Sequence, residues 1–321
     1  MKPFSTEDEL LKDEDPQMEY RRRTDDEKTS VSYGQRKLLL ILVSFLSKYA
    51  AKYKGKKTVL LYIGSAPGVN IGIATKLFPG FCWHLYDPAR FAITTDVKNN
   101  VFVYQKYFDD ETAKYWQERR EKGEDIIFIS DIRTADYTKA KNLNENEDQI
   151  EIDMQMQRRW VEMIRPNISQ LKFRLSYTLD GRKNDYEYFD GEVYHQCWRP
   201  QTSTETRLVF SEIRYKNYDC NKYEKQMFYH NAIVREKEKF LNGEADGIEL
   251  TNDWDSACEI SIWKDYLAYC GEEITKEKIL ELSEDATKLL NANKKIPDTL
   301  SYLRANPRII KTRNFNRTLK K

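Results

Sequence analysis

Hydrophobic positions along the chain alternate between short apolar runs and longer stretches with helical spacing. Apolar runs at Thr58–Ile63, Phe81–Tyr86 and Ile126–Ser130 have the length and composition of buried strands. Val69–Leu77 and Asp110–Glu121 lie between them and have the residue pattern of helices. Because strands that alternate with helices pack as a parallel sheet covered on both faces, the pattern predicts an α/β fold with a mostly parallel central sheet.

Further segments extend this pattern on both sides. Apolar residues recur on one helical face from Leu38 to Tyr49, which predicts a buried amphipathic helix that begins near Ser32. The remaining predicted elements are strands at Val101–Tyr104, 171–175 and Thr206–Phe210, and helices at 146–164, 223–235, 253–269 and Lys276–Asn291.

The distribution of polar residues divides the chain into three parts. Residues 1–31 are charged with isolated apolar positions, and we expect a polar N-terminal arm without a core of its own. Residues 32–295 form the predicted domain, with a helical C-terminal extension from about residue 222. Residues 296–321 form a polar, basic tail.

The first predicted strand breaks off into a turn of small residues, Gly64-Ser65-Ala66-Pro67-Gly68. Glycine lets the backbone approach a ligand closely, and ligands of open α/β sheets bind at the carboxyl ends of the strands. An ordinary strand–helix turn would also have these glycines, so the turn alone does not identify a site.

Composition restricts the partners. The chain has 321 residues and a net charge of +1, from 53 Lys and Arg against 52 Asp and Glu, so any contact with nucleic acid must be local. Residues 52–57 and 308–321 are basic, although a solvated surface or a frayed tail has the same composition. The apolar stretch at 38–46 is too short to span a bilayer, and we expect no membrane partner.

Cysteine and histidine usage restricts the chemistry. Five cysteines are scattered without paired spacing and only three histidines are present, so no zinc site and no metal ligands are predicted. Unpaired cysteines favour a reducing compartment, and we expect a cytoplasmic protein.

Three charged residues stand at predicted strand ends or within strands. Asp87 follows the second strand, where an acid binds ribose hydroxyls in nucleotide sites, although it could equally cap a turn with Pro88. Asp131 ends the apolar 126–130 strand, where a helix N-cap is the alternative. Lys172 interrupts an apolar strand. It lies either on the solvated face of an edge strand or in a buried position, where burial and a nearby cation would lower its pKa.

Five motifs in register resemble the poxvirus-type cap-specific mRNA (nucleoside-2'-O-)-methyltransferase family, whose members also serve as the small regulatory subunit of poly(A) polymerase. The resemblance covers roughly residues 20 to 290 and also includes residues 223–229 and 233–235. The motifs are Tyr33-Gly34-Gln35-Arg36-Lys37-Leu38-Leu39-Leu40, Tyr62-Ile63-Gly64-Ser65-Ala66-Pro67-Gly68, Ile129-Ser130-Asp131-Ile132-Arg133, Leu171-Lys172-Phe173-Arg174 and Glu205-Thr206-Arg207-Leu208.

The resemblance implies a Rossmann-like, S-adenosylmethionine-dependent fold and a Lys-Asp-Lys-Glu catalytic tetrad. By matching position the tetrad is Lys37, Asp131, Lys172 and Glu205, and all four residue types are present. We expect Lys172 to act as the general base for a ribose 2'-hydroxyl, with Lys37 nearby helping to keep it neutral. The product of the cofactor would be S-adenosylhomocysteine, and no metal is required.

The resemblance also implies positions for the cofactor. They are Gln35, Tyr62, Gly64, Gly68, Asp87, Phe108, Asp131 and Arg133. Asp87 would bind the ribose, and Phe108 would provide an apolar wall for adenine. The family's arginine two residues after the ribose acid is Ala89 here, and Arg90 follows it as a substitute.

For the cap, the family stacks 7-methylguanine between two aromatic rings and binds its edge with two acids. Tyr20 and Tyr177 match the aromatic positions, and Glu224 matches one acid. The second acid position is Leu179, so either a shift of one residue places Asp180 there or this contact is missing. Tyr20 could equally be an ordinary tyrosine of the arm.

Phosphates of the RNA beyond the cap have candidate ligands in Arg174, Arg207 and Arg133, for which ion pairs with acids are the alternative.

From the resemblance we expect methylation of the first transcribed nucleotide of capped mRNA, which converts cap 0 to cap 1. A processivity subunit of a poly(A) polymerase catalytic subunit, alone or as a second role, is the alternative. A 2'-O-methyltransferase of other RNA is a third interpretation, and DNA is not expected.

Overall fold

The five parallel strands of the central sheet occur in the predicted order. The structure, a computed structural model, describes residues 6–21, 34–53, 57–136, 138–179, 181–200, 203–238, 244–245, 247–250 and 255–291. Its strands are β1 (Leu10–Leu11), β2 (Thr58–Ile63), β3 (Phe81–Tyr86), β4 (Val101–Tyr104), β5 (Ile126–Ser130), β6 (Ile168–Phe173), β7 (Asp185–Phe189), β8 (Glu192–Tyr194), β9 (Thr206–Phe210), β10 (Tyr215–Asp219), β11 (Glu244–Ala245) and β12 (Ile248–Glu249).

The helices separate and flank these strands. They are α1 (Gly34–Lys48), α2 (Val69–Leu77), α3 (Asp110–Glu121), α4 (Leu143–Ile164), α5 (Cys220–Tyr229), α6 (Ser256–Cys270) and α7 (Lys276–Asn291). Short 3-10 turns occur at Thr6–Glu9, Ala51–Tyr53 and Val97–Asn99, and a π-helix follows α5 at His230–Glu238.

The central sheet has eight strands in the order β1-β8-β9-β6-β5-β2-β3-β4. Strands β4, β3, β2, β5 and β6 are parallel, whereas β9, β8 and β1 add antiparallel pairs at the other side. The prediction of an α/β fold with a mostly parallel sheet is confirmed. Strand β9 is antiparallel because the chain reaches it through β7 and β8 rather than through a crossover helix.

Both faces of the sheet are buried, as the continuous apolar strands require. Leu60 and Tyr62 of β2 pack with α1, α2, α6 and α7 on one face. Val59, Leu61 and Ile63 pack with α3, α4 and α5 on the other. Because β2 pairs in parallel with β5 and β5 with β6, the carboxyl ends of these three strands lie beside one another at one edge of the sheet.

The strand predicted at 171–175 is displaced. It begins at Ile168 and ends at Phe173, so Lys172 lies near its end and between two neighbouring strands. The helix predicted at 223–235 begins at Cys220 and changes to π-helical spacing after Tyr229. The strands β1, β7, β8, β10, β11 and β12 were absent from the sequence prediction.

The described part of the N-terminal arm lies on the domain. Leu10 and Leu11 pair with β8 and complete the edge of the sheet. The amide side chain of Gln226 on α5 donates to the carbonyls of Lys12 and Asp15 at 2.9 and 3.1 Å. Residues 12–20 are therefore held along α5. Within the described ranges, no helix has the length and apolar character needed to cross a membrane.

Candidate active site

The turn after β2 is built by glycines in the left-handed region, as its composition predicts. Gly64 and Gly68 have φ of 75° and 74°. A Cβ at Gly64 would lie 2.8 Å from the backbone carbon of Asp131, so the turn packs directly against the end of β5. Gly68 makes no side-chain cap for α2, which leaves the first N–H groups of that helix for another acceptor. One of them, Asn70 N, donates to Gln35 Oε1 at 3.2 Å.

A compact cluster of charged side chains lies beside this turn. Lys172 Nζ is 3.1 Å from Asp131 Oδ1 and 3.7 Å from Glu205 Oε2. Lys37 Nζ, from the first turn of α1, donates to Glu205 Oε1 at 2.8 Å. The structure therefore brings together all four residues predicted as the tetrad, from α1, the end of β5, β6 and the start of β9.

A fifth charge, Arg207, is part of the same cluster. It lies opposite Lys172 in the pairing of β6 with β9 and is buried. Its guanidinium is 2.5 Å from Asp131 Oδ1 and 3.7 Å from Glu205 Oε1. Directly opposed residues on antiparallel strands share a face, which explains why both cations reach the same carboxylates.

Burial lowers the pKa of Lys172, and the cations Arg207 and Arg133 lower it further. The carboxylates of Asp131 and Glu205 raise it, but the net direction is below the ordinary lysine value. Arg207 and Arg133 lower the pKa of Lys172 directly, whereas Lys37 contacts Glu205 and acts on Lys172 through that carboxylate.

The two carboxylates stay ionised. Burial raises the pKa of both, but for Asp131 the charges of Arg207 and Lys172 outweigh it and leave the pKa below its usual range. Lys172, Lys37 and Arg207 do the same for Glu205 and leave its pKa well below the usual value. The cluster therefore holds two anions at neutral pH, and Lys172, whose pKa is lowered, is the group in it that can take up and release a proton.

The carboxylate of Asp87 shapes the turn. It accepts hydrogen bonds from Ala66 N at 3.0 Å and Ala89 N at 2.8 Å. The turn-capping alternative is therefore present, and it orients the side chain. Each carboxylate oxygen can accept a second hydrogen bond, and Asp87 is only half-buried, so hydroxyl groups of a ligand can reach it.

The side chains of Tyr62 and Phe108, two other predicted cofactor residues, are buried. Tyr62 is buried in β2, where burial raises its pKa. Phe108 is 6% exposed and packs edge-on against Tyr86 and Trp160, at centroid distances of 5.2 and 5.0 Å. It is therefore largely buried, and its contact with adenine stays a prediction. Arg90 is exposed on the loop after β3.

Arg133 follows the end of β5 and is held by a buried acid. Its Nη1 is 3.6 Å from Asp153, which also accepts hydrogen bonds from the backbone N and hydroxyl of Thr134. Both terminal nitrogens of Arg133 are buried without a hydrogen-bond partner among the described residues. This arginine therefore retains donors for an anionic or carbonyl group.

The candidates for cap binding are placed around α5. Tyr20 is exposed and contacts Phe228 of α5 edge-on, at 5.3 Å between centroids. Glu224 lies one turn earlier on the same helix. The hydroxyls of Tyr177 and Tyr223 contact different oxygens of Thr204, which brings Tyr177 to the start of α5. Asp180 lies outside the described residues.

The predicted RNA contacts of Arg174 and Arg207 lack support. Arg174 is buried, pairs with Glu147 at 2.9 Å and lies over the ring of Tyr177 at 4.2 Å. Arg207 is buried within the charged cluster. Both arginines form ion pairs with acids, which was the alternative to an RNA contact. Arg174 also orients Tyr177 through its stacking contact.

Sequence reasoning assigned Arg207 to RNA and missed its place in the cluster. A charged residue within the otherwise uncharged strand Thr206–Phe210 was the available signal. It also missed Gln196, whose amide donates to the backbone carbonyl of Glu205 at 2.9 Å and approaches Glu205 Oε1 at 3.4 Å. No pattern marks Gln196. The described residues contain no group of acids, cysteines and histidines suited to a metal ion.

Comparison with known proteins gives concordant matches. The family model described as "Poly A polymerase regulatory subunit" matches residues 1–291. A cap-specific mRNA (nucleoside-2'-O-)-methyltransferase of Fowlpox virus (strain NVSL) is 28% identical over 249 residues, which are 74% of this chain and 78% of that protein. The protein of the same name from Myxoma virus (strain Lausanne) is also 28% identical over 249 residues, 74% of this chain and 71% of its own length.

Among solved structures, bluetongue virus VP4, whose title describes a multifunctional RNA-capping production line, matches 72% of this chain. The identity is 17% and the TM-score is 0.37, and the match spans 38% of that chain.

Proposed function

Because the chain belongs to the poly(A) polymerase regulatory subunit family, we propose that it is a methyltransferase that acts on the 5' cap structure of mRNA. The proposed reaction transfers a methyl group from S-adenosylmethionine to the ribose 2'-hydroxyl of the first transcribed nucleotide. The observation that carries this proposal is the contact of Lys37, Asp131, Lys172 and Glu205 in one cluster beside the Gly64–Gly68 turn.

The groups around the Gly64–Gly68 turn suit the parts of S-adenosylmethionine. The open N-terminus of α2 and the donors of Arg133 suit the carboxylate of the amino-acid part, and Asp87 suits ribose hydroxyls. Gln35 is beside the same helix N-terminus. When bound, the cofactor supplies an electrophilic methyl group that requires no metal.

Lys172 is the proposed base. A ribose hydroxyl is a weak nucleophile until its proton is removed, and burial with two arginines lowers the pKa of Lys172 toward the range in which lysines act as bases. Asp131 accepts from the Lys172 ammonium and is held by Arg207. Glu205 joins Lys172 to Lys37. These contacts orient the amine and hold its proton once it is taken up.

The surroundings of α5 support selectivity for a cap. A cationic 7-methylguanine gains stacking and cation–π attraction from aromatic faces, and acids accept from its edge. Tyr20, Tyr177 and Glu224 supply these groups in the proposal, and all three lie close to α5. A near-neutral net charge makes the cap, rather than general electrostatics, the main determinant of RNA binding.

The test is transfer of a labelled methyl group to matched short RNAs with and without a 7-methylguanosine cap. We expect label on the capped RNA and at least about a tenfold lower kcat/KM on the uncapped one, which corresponds to loss of one stacked base. Equal transfer to both RNAs would contradict the assignment to the cap. Absence of transfer, with RNA binding retained, would contradict methyltransferase activity.

The description of the matching family model supports a second candidate role, as a regulatory subunit that binds a poly(A) polymerase catalytic subunit. This role does not require the tetrad. It is tested by the length of poly(A) tails that such a polymerase makes with and without this chain. Longer tails with a Lys172→Met variant would separate this role from methyl transfer.

A further inference from the structure

The start of α6 carries two buried carboxylates that lie outside the tetrad but contact the elements that hold it. Asp255 immediately precedes the helix, and Glu259 is in its first turn. Glu259 is fully buried and Asp255 is 3% exposed. Burial of two acids at one helix start costs free energy unless cations and hydrogen-bond donors pair with them.

Glu259 is bound to the first turn of α1. The guanidinium of Arg36 forms a bidentate ion pair with Glu259, with Arg36 Nε at 2.9 Å. Arg36 also donates to Ser283 Oγ at 2.9 Å and to Thr287 Oγ1 at 2.6 Å, both on α7. Arg36 stands between Gln35, at the cofactor turn, and Lys37, in the tetrad.

Glu259 and Asp255 also hold the segment that precedes β9. The indole N–H of Trp198 donates to Glu259 at 2.8 Å, and its backbone N–H donates to Asp255. Arg235 pairs with Asp255 at 2.9 Å and donates to the carbonyl of Arg199 at 3.1 Å.

The same segment reaches Glu205. Arg199 donates to the backbone carbonyl of Glu205 at 3.2 Å, and Gln196 donates to the same carbonyl at 2.9 Å. The start of α6 is therefore connected to Lys37 on one side and to Glu205 on the other, and these two side chains contact each other at 2.8 Å.

We propose that Asp255 and Glu259 are positioning residues for the methyl transfer, which hold Lys37 and Glu205 in contact through Arg36 and through the Trp198–Arg199 segment. The inference rests on the proposed function. It gives the C-terminal helices a part in the reaction, although they contribute no residue to the tetrad.

The proposal predicts a specific change in pH dependence. The charged and titratable groups that face Lys172 are Asp131 and Arg133 after β5, Glu205 and Arg207 of β9, Tyr62 of β2 beside Asp131, and Lys37 of α1 beyond Glu205. When Lys37 leaves Glu205, the carboxylate acts on Lys172 without that neutralising partner. The protonated form of Lys172 is then favoured, and the midpoint of the kcat–pH profile moves upward.

The test is the Arg36→Lys variant, which keeps the charge but loses the bidentate geometry. We expect kcat to fall by about 10- to 100-fold because Lys37 is displaced, and the pH midpoint to rise. In a double-mutant cycle, Arg36→Lys has little further effect on kcat when Lys37 is already Met. A merely structural role would lower stability without moving the midpoint, and its effect would add to that of Lys37→Met.

Lys48→Arg is the matched control. Lys48 lies at the other end of α1, about 16 Å along the helix from Lys37. It also pairs with a buried acid, Glu9, at 2.9 Å and with Asp265 of α6 at 3.4 Å. We expect this variant to lower the melting temperature while kcat and the pH midpoint stay at the wild-type values.

If Arg36→Lys does not fold, Thr287→Val replaces it, since that change removes one hydrogen bond to Arg36 and leaves every charge in place. We expect a smaller shift in the same direction. An unshifted pH midpoint in the folded variant, with the wild type active on capped RNA, would overturn this inference alone. A wild type that transfers no methyl group to capped RNA would instead overturn the proposed function.

Discussion

At the residue scale, Lys172 is the surplus charge of its cluster. Lys37 and Arg207 already balance Asp131 and Glu205, so a protonated Lys172 adds an unbalanced cation to a buried site. An arginine could not release a proton there, whereas a lysine can. Burial, together with this balance, explains why the pKa of Lys172 is lowered even though two carboxylates contact it.

The first prediction concerns removal of that amine. Lys172→Met keeps the length of the side chain, and we expect kcat to fall by about 10²- to 10⁴-fold because the proton acceptor is lost. Steady-state methyl transfer to capped RNA measures this effect. The melting temperature should equal or exceed that of the wild type, since a buried cation of lowered pKa is removed. Lys98→Met, in an exposed turn, is the control and should keep wild-type kcat.

The second prediction concerns pH. Methyl transfer requires the neutral amine, so kcat should rise with pH and reach a plateau above the pKa of Lys172. Because this pKa is lowered, the midpoint should lie below the ordinary lysine value of about 10.4. A rate that falls as pH rises from 6 to 9, at saturating cofactor and RNA, would contradict the role of Lys172 as a base.

The tetrad could be predicted by residue type and order, but its geometry could not. From the sequence alone, Lys172 could equally lie on a solvent-exposed edge strand. It is buried because β9 pairs with the other side of β6, and the sequence does not show this pairing. The place of Arg207 in the cluster could not be predicted, because a sequence does not show that its cross-strand partner is Lys172. Phe108 was placed at the cofactor because its position follows β4, whereas its burial depends on Trp160 from a distant helix.

At the scale of elements, α5 joins the arm to the rest of the site. Gln226 holds carbonyls of residues 12, 13 and 15 with one amide, and Lys225 accepts from Met18 N at 3.2 Å. Tyr20 ends this segment against Phe228. The helix therefore sets the position of Tyr20 relative to Glu224.

The third prediction tests this anchoring. Gln226→Leu removes the donor shared by three carbonyls, and we expect KM for capped RNA to rise by about tenfold, with one net hydrogen bond contributing about 1 kcal/mol. The KM for the cofactor and the kcat at saturating RNA should stay unchanged. Gln155→Leu, which removes a bond to Tyr186 on an exposed face, is the control. An equal change in KM for both variants would show that the arm does not contribute to RNA binding.

Elements with strong patterns were predictable because their boundaries are local. The bounds of β2, α2, α3 and β5 coincide with the predicted ones, since each is an apolar run or a capped helix flanked by turn residues. Among the described residues, strands β7 and β10 pair with each other in a separate two-stranded sheet. Their alternating polar and aromatic residues are a strand signal, but a search for continuous apolar runs does not detect it. Strand β1 has two residues and exists only because β8 is available as a partner.

At the scale of the whole molecule, the fold depends on buried carboxylates that stay ionised. Burial raises the pKa of Asp131, Glu205 and Glu259, but neighbouring cations lower it by more than burial raises it. Each folded-state pKa therefore lies below its usual value. Such groups stabilise the folded state above the unfolded-state pKa of about 4, and the contribution is lost as pH falls through the folded-state pKa.

The fourth prediction is therefore a loss of stability in acid. The contribution of these carboxylates to the free energy of unfolding, measured in urea, should be nearly constant from pH 7 to 5. It should fall as the pH decreases from about 4 to 2. Glu205→Gln should make this dependence shallower by removing one of the three groups. A wild-type stability that is unchanged between pH 5 and 2 would contradict the ionised state of these carboxylates.

The measurement that tests the central claim most directly compares two capped RNAs that differ by one oxygen. One has ribose at the first transcribed nucleotide, and the other has 2'-deoxyribose there and ribose elsewhere. With labelled S-adenosylmethionine, the account predicts stoichiometric label on the first RNA and none on the second. Equal label on both RNAs would contradict it, because the methyl group would then be received by an atom other than that 2'-oxygen.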